Sequence, residues 1–528
     1  MVSDIAGRRV VPGLPWSVRV ALATWAVLWI GLPVGFDLVP PSDNIEQLVW
    51  SQGLELGYHK HPPMPTWILI AAGKVLPVSV PLTFVLAILG IAIGWYFLWR
   101  LATELLGRDG GLAAVLATAC IAFYAHRGHI FNHNTVLVPF CYAAAWYFLR
   151  GVRFGRLRDW ILLGVAAAGA LLTKYQFGLL VVCFALIGVW LRLYTRPEVV
   201  RGVLIAAGTT LVLLLPHIGW LFARDFPPFR YASEMIFAHL TYLQRLSVTG
   251  GFVLQEMRDA LVPVAMLLLA GYVSHRLARG AGAAAGEAHP GTPQADDAVW
   301  IWTLGVVPFL LLLVLGLAGG VRLENHWGTA AMQFIALPII SVLTSRGVVL
   351  RLAGVLVAFF ATQGAAALRY VVDSSLDNRA SLDGGRLRAF DPAALSHAVL
   401  ADWHRTTSEP LRYIVGPTVI SGMVSVYSED HPQVLIRGQP RASPWVSLER
   451  LQSCGAVYIS PLAPAYPGTV ALEGNWTAVG YRRPSRGKPL RIEWIVVPPD
   501  TRCGGPRPPG PHWALPAVGL PGSAPRAK

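Results

Sequence analysis

The feature that most constrains this chain is the recurrence of apolar runs of membrane-spanning length, separated by short connections rich in arginine. Runs of about 20 apolar residues cross a bilayer as helices, because in hydrocarbon each backbone N–H and C=O must be satisfied within the segment. We place spans at roughly 20–36, 79–99, 111–125, 135–149, 160–173, 176–193, 202–222, 257–274, 299–318, 329–344 and 347–368, about eleven in all. Only 14% of the 528 residues are charged and 54% are hydrophobic, whereas soluble domains carry about 25% charged residues. The expected fold class is therefore a mainly α, polytopic membrane protein.

Arginine sets the orientation. Counted alternately, one set of connections holds Arg8, Arg9 and Arg19, then Arg100 and Arg108, then Arg150, Arg153, Arg156 and Arg158. The same set continues with Arg192, Arg196 and Arg201, Arg276 and Arg279, and Arg346 and Arg351. Short loops of this kind stay cytoplasmic, so an odd number of spans leaves the C-terminal region outside. The net charge of +14 is accounted for in this way, and nucleic acid is not an expected partner. The basic segment Met1 to Arg19 leads into the first span without a small-residue cleavage site, and we read it as an uncleaved helix.

Three units are expected: a transmembrane domain over 1–368, an outer α/β domain over 369–503 and a disordered Pro/Gly-rich tail over 504–528. In the α/β domain Leu411 to Val415, Val434 to Arg437, Ala456 to Ile459 and Ile492 to Val497 read as short buried strands. The Ala/Gly/Pro-rich segment Gly280 to Ala298 reads as a flexible cytoplasmic linker, and Trp67 to Ile70 as part of a short interfacial helix. Cys120, Cys141 and Cys183 lie in apolar runs, whereas Cys454 and Cys503 could pair if their region is oxidised.

The connections on the outer side are chemically unlike plain loops. The first carries Asp43, Glu46, Tyr58, His59, Lys60, His61 and the rigid pair Pro62-Pro63. Further ones carry His126, His129, Asn132, His133 and Asn134, then Lys174 in a tight turn, then His217 with Arg230, and last Arg322, Glu324 and His326. Histidine and tryptophan do populate membrane interfaces. Loops that between them combine His, Lys, Arg and acid on one face argue instead for a site. Lys60, Lys174 and Arg322 could neutralise a phosphate, and Asp43 could act as general base or hold a divalent metal or amino group. Asp43 could also be no more than a helix cap, Glu46 a capping-box partner, and Lys60 and Lys174 snorkelling side chains. His126, His129 and His133 are irregularly spaced for a metal, and no other cofactor is indicated. No Walker A lysine and no GxGxxG after a strand is present, so a soluble nucleotide donor is not expected.

The run Asp43…Glu46…Trp50-Ser51-Gln52…Gly57-Tyr58-His59-Lys60-His61-Pro62-Pro63…Trp67 resembles the first periplasmic loop of the bacterial polyprenyl-phosphate-dependent glycosyltransferases. These are ArnT-like relatives of the protein O-mannosyltransferases, with the GT-C fold. Asn132-His133-Asn134-Thr135, Leu172-Thr173-Lys174-Tyr175 and Arg322…His326-Trp327 resemble later blocks, so the similarity covers about residues 20–345.

The resemblance implies a multi-pass enzyme of the bacterial inner membrane, with its active site and C-terminal domain on the periplasmic side. It would move a sugar from undecaprenyl phosphate or a related lipid to lipid A, a lipopolysaccharide core sugar or another envelope glycan. Membrane lipids, the lipid-linked donor and the lipid or glycan acceptor are the implied partners. Asp43 occupies the position of the catalytic acid, with Glu46, Tyr58, Lys60, His61, His133, Asn134, Lys174, Arg322 and His326 as substrate-binding residues. Two departures stand out. Asn44 follows Asp43 where many relatives have Glu, and Lys60 fills a slot that is acidic in many, so no metal set is carried over. The rival classes are a transporter or flippase of a lipid-linked sugar, which would place polar residues at mid-membrane on broken helices, and a non-catalytic envelope assembly protein, in which Asp43 would be dispensable.

Overall fold

The computed structural model describes residues 13–37, 39–236, 240–280, 295–375, 391–461, 477–481, 490–500, 503 and 511. The expected tail, apart from Pro511, and residues 281–294 of the expected linker lie outside them. The helices run α1 Trp16–Phe36, α2 Ser42–Trp50, α3 Met64–Ala72, α4 Val80–Thr118, α5 His133–Phe154, α6 Leu157–Leu171, α7 Gly178–Trp190, α8 Pro197–Ala223 and α9 Pro227–Ile236. They continue as α10 Tyr242–Gly280, α11 Ala295–Leu317, α12 Gly328–Ala331, α13 Ala336–Ser345 and α14 Leu352–Ser375.

Most expected spans coincide with a helix or part of one, whereas 111–125 runs past the end of α4 and 329–344 is divided between α12 and α13; the chain is a multi-pass membrane protein. The spans at 79–99 and 111–125 are two arms of α4, which breaks at Gly107. Its φ of 76° is left-handed and readily adopted only by glycine. Among the described residues seven helices are long and apolar enough to cross a membrane, or eight if the bent pair Asn325–Ala331 and Ala336–Ser345 is one span. The remaining expected spans are shorter helices, such as α6 and α7. The linker reading is corrected at its end, because Ala295 to Ala298 begin α11. Asp296 and Asp297 there complement the positive end of the helix dipole, and Asp297 accepts a 2.5 Å ion pair from Arg153.

The bundle packs around Trp25, Trp29, Trp95, Tyr142, Trp300 and Phe334, all nearly or fully buried. Two of these indoles tie helices together: Trp29 Nε1 donates to Gln363 Oε1 at 2.8 Å, linking α1 to α14, and Trp25 Nε1 donates to the Tyr124 carbonyl at 3.0 Å.

The rest of the chain builds a small α/β unit: α15 Pro392–Thr406, β1 Tyr413–Gly416, α16 Thr418–Tyr427, β2 Gln433–Ile436, α17 Leu448–Cys454, β3 Ala456–Pro461, β4 Thr477–Tyr481 and β5 Leu490–Val497. The sheet order is β2-β1-β3-β5-β4. β1 runs parallel to β2 and β3, and β5 antiparallel to β3 and β4. All four residues of β1 are buried, which suits a parallel central strand covered on both faces. Four strands lie where the sequence places them, and β4 is additional. Cys454 and Cys503 form a disulfide.

This unit positions the site because it packs on α2. Ile45, Leu48, Val49 and Trp50 have no exposed surface and join Leu395, Met423, Val424 and Val434 in one core. Gly422 of α16 lets the helices meet: a Cβ there would fall 2.5 Å from Ile45 and 2.7 Å from Val49. Gln52 completes the joint. Its amide nitrogen donates to Ser425 Oγ at 3.0 Å and to the Pro432 carbonyl at 3.1 Å, and its oxygen accepts from Val434 N at 2.9 Å.

Candidate active site

The site is built on α2. Pro41 precedes the helix in an extended conformation, and Ser42 opens it without a side-chain cap. Asp43 therefore stands in the first turn as a side chain, not as a cap. One turn on, Glu46 shares its face, while the opposite face is held by the α/β unit. Asn44 is turned inward and fully buried. Its amide bonds Thr83 Oγ1 at 2.7 Å and the His129 carbonyl at 3.2 Å, and its oxygen accepts from Phe131 N at 3.1 Å. That network explains why an acid does not follow Asp43: a carboxylate could not donate the first two bonds.

The same loop brings in the partner of Asp43. Asn132 caps α5, its Oδ1 accepting from Asn134 N at 2.9 Å and Thr135 N at 3.0 Å. Its other face is left free to donate, and Nδ2 reaches Asp43 Oδ2 at 2.7 Å. One asparagine thus fixes both a helix start and the candidate base. The sequence reading named Asn132 within a motif only. An Asn at the head of an apolar run is a cap signal, but nothing local reports its reach to Asp43.

The connection from α2 to α3 is pinned at several points. Trp50 stacks on Tyr58 at 4.9 Å, and the Tyr58 hydroxyl donates to the Gly53 carbonyl at 2.7 Å. His217 Nδ1 lies 2.7 Å from the Leu56 carbonyl, and His133 Nε2 lies 3.1 Å from the Pro62 carbonyl. Met64 N donates to the Leu172 carbonyl at 2.9 Å. Lys60 pairs with Glu46 and sits 5.6 Å from the ring centroid of Tyr231, a residue that no motif flagged. His61 packs on His133 at 4.2 Å.

Lys174, in the turn between α6 and the 3-10 turn Tyr175–Phe177, donates from Nζ to Asn134 Oδ1 at 2.5 Å and lies 5.8 Å from the Trp327 ring. Behind it the Tyr175 hydroxyl contacts His217 Nε2 at 2.8 Å.

The electrostatics follow from enclosure. Removal from water pushes Lys174 down to about 7, with the negative charge of Asp43 pulling it back. His61 is held well below its ordinary value by burial first, then by His133, Lys174, Lys60 and His326. His59 is pushed down to about 3 by burial, Lys60 and Arg437. Burial would lower Lys60 too, but Glu46, Tyr231 and Asp43 outweigh it and the net shift is upward. The site thus holds a permanent cation at Lys60, a titrating one at Lys174 and neutral imidazoles between them.

Nine of the sequence-predicted residues lie in this assembly or against it: Asp43, Glu46, Tyr58, Lys60, His61, His133, Asn134, Lys174 and His326. His326 joins through electrostatic reach to Lys174 and Arg127. Arg322 stands apart. It is 58% exposed at the side chain, pairs with Glu324 at 3.4 Å, and no described contact links it to Asp43 or Lys174. Two acids that the sequence reading passed over, Glu256 and Asp259, are buried on α10 within reach of Arg127. Among the described residues no group of three or more His, Cys, Asp or Glu is arranged to hold a metal, so no step is routed through one.

The sequence pattern described as dolichyl-phosphate-mannose-protein mannosyltransferase matches residues 60–220. The lipopolysaccharide core galacturonosyltransferase RgtB of Rhizobium johnstonii is 27% identical over 316 residues, 58% of this chain and 61% of the relative. RgtA of the same organism is 30% identical over 200 residues, 37% of this chain and 39% of the relative. The chain thus matches less than two thirds of either relative's length. Over 93% of this chain and 99% of the other, the structure superposes on ArnT from Cupriavidus metallidurans, solved bound to undecaprenyl phosphate, with a TM-score of 0.58 and 13% identity. The chain is a multi-pass membrane protein of the ArnT-like GT-C fold, carrying over residues 60–220 the sequence pattern of the mannosyltransferase family.

Proposed function

We propose that the protein is an inner-membrane glycosyltransferase that takes a sugar from a polyprenyl phosphate and transfers it, on the periplasmic side, to lipid A, a lipopolysaccharide core sugar or another envelope glycan. The observation that carries the reading is the pairing of Asp43, oriented by Asn132 at 2.7 Å, with a separate cationic wall at Lys174 and Lys60. The relatives' names add that RgtA and RgtB act on the lipopolysaccharide core and that ArnT binds undecaprenyl phosphate. The arginine-bearing connections support the periplasmic orientation of the site and of the unit that follows residue 368.

In this reading the Asp43 carboxylate takes the proton of an acceptor hydroxyl as its oxygen attacks the anomeric carbon of the donor sugar. The new C–O bond forms as the bond from that carbon to the phosphate oxygen breaks, and the polyprenyl phosphate leaves with the electron pair. Displacement from the far face inverts the anomeric carbon. Lys60 and Lys174 stabilise the charge that develops on the leaving phosphate, in an enclosed site where such contacts are stronger than in water. Asn134 holds Lys174, and Glu46 holds Lys60.

Asp43→Asn and Lys60→Ala, expressed in cells and followed by mass spectrometry of lipid A and envelope glycans, test the reading. It requires loss of the sugar that depends on the wild-type protein. Its persistence at normal protein levels would exclude the mechanism.

A further inference from the structure

A concave site lined in part by Asn325 opens beside the 3-10 turn Asn325–Trp327. It is a cavity of about 430 Å³ between α10 and the stretch that follows α11, within the size range of small-ligand pockets. Phe252 and Leu323 form apolar wall, while Gln255, Arg258, Arg322 and Asn325 supply polar groups. Glu324 also lines it, but is already engaged by Arg322 at 3.4 Å, and both side chains are half exposed or more. An exposed pair of that kind contributes little and opens readily.

Arg258 is the informative residue. It is exposed on α10, a helix apolar enough to span the membrane, and makes no salt bridge among the described residues. On the same stretch of α10 Leu254, Met257 and Leu261 are 71%, 59% and 64% exposed. A guanidinium among lipid-facing apolar side chains is costly unless it meets an anion at the interface. The pocket therefore pairs an exposed cation, within electrostatic reach of Asp259 but in no ion pair with it, and several hydrogen-bonding groups with an apolar flank suited to acyl chains.

Its position adds to this. Asn325 lines the pocket, the next residue, His326, is within electrostatic reach of Lys174, and Trp327 lies 5.8 Å from Lys174 Nζ.

Resting on the glycosyltransferase reading above, we propose that this cavity docks the anionic head group, phosphate- or carboxylate-bearing, of a membrane-anchored acceptor glycolipid. Arg258 is the primary contact, and Arg322 joins it as Glu324 gives way. Arg322 is thereby assigned to the acceptor and not to the donor phosphate.

The test measures binding apart from transfer. Full-length protein in nanodiscs is titrated with lipid A carrying its phosphates, with dephosphorylated lipid A and with phosphatidylglycerol. Wild type and Asp43→Asn should both favour phosphorylated over dephosphorylated lipid A by roughly ten-fold or more. Arg258→Gln and Arg322→Gln should erase that preference, while Arg258→Lys keeps most of it and reports on folding. Retention of the preference in both glutamine variants would overturn the proposal. Equal wild-type affinity for phosphatidylglycerol would also overturn it, leaving only a site for bulk anionic lipid. If Asp43→Asn transfers sugar normally, the catalytic reading falls, but the binding preference still decides the pocket.

Discussion

Asn132→Asp isolates the contact on which the catalytic reading turns. Aspartate caps a helix as well as asparagine does, so the bonds to Asn134 N and Thr135 N survive and α5 should start where it now starts. What changes is the 2.7 Å contact to Asp43, where a donating amide becomes a second carboxylate. Two carboxylates about 4 Å apart repel by about 4 kcal/mol at an effective dielectric of about 20. Asp43 is partly exposed, so we discount this to about 2–4 kcal/mol. Loss of a hydrogen bond to a charged group costs a further ~1.5–3 kcal/mol of orientation, which is about ten- to a hundred-fold in kcat/KM.

The assay is a pH–rate profile of sugar transfer by purified protein, beside a thermal melt. The variant should melt like wild type, turn over more slowly, and recover part of its rate at higher pH. A wild-type rate with an unmoved acid limb would refute Asp43 as an ionised base oriented by Asn132.

Four further outcomes follow from other parts of the structure. Lys174, held near 7, loses its charge as pH rises through about 7, so donor affinity should weaken across about pH 6 to about pH 8.5 and Lys174→Arg should remove that dependence; a flat wild-type profile would count against Lys174 as a phosphate contact. Its stability contribution runs the other way: with the folded value below the unfolded one, stability should rise with pH from about 7 towards about 10.5, which a denaturation series of wild type against Lys174→Arg would show. Gln52→Ala leaves Val434 N without its acceptor in the joint between α2 and the α/β unit, a cost of about 1–3 kcal/mol, and a melt within about 0.3 kcal/mol of wild type would exclude that role. Opening the disulfide, which spans a sequence separation of 49, should destabilise the α/β unit by about 4 kcal/mol, measured by unfolding with and without reductant.

The membrane architecture was legible because hydrocarbon enforces it: an apolar run of spanning length has few alternatives to a helix. The two spans at 79–99 and 111–125 fall on either side of the break at Gly107 in α4, although apolar runs alone do not report the residue at which the chain turns. The strands β1, β2, β3 and β5 showed as buried apolar runs. β4, Thr-Ala-Val-Gly-Tyr, is short and contains glycine, and nothing in its pattern distinguishes it from a turn. Around the site the charged members were visible by type and by resemblance. The residues that aim them were not. Asn132, Asn44 and Gln52 act through backbone groups and side chains far away in the chain, and Tyr231 meets Lys60 only because α9 returns over the loop. Arg322 was visible by its charge in the same way, but nothing in the sequence reports that it lines a neighbouring pocket with Arg258 and Asn325.

The most direct test of the central claim is transfer by purified protein in proteoliposomes, with a radiolabelled polyprenyl-phosphate sugar as donor and lipid A or lipopolysaccharide core as acceptor. Wild type should move label from the polyprenyl lipid to the acceptor, and Asp43→Asn should leave it on the donor while still binding polyprenyl phosphate. Transfer by Asp43→Asn at the wild-type rate would contradict the account.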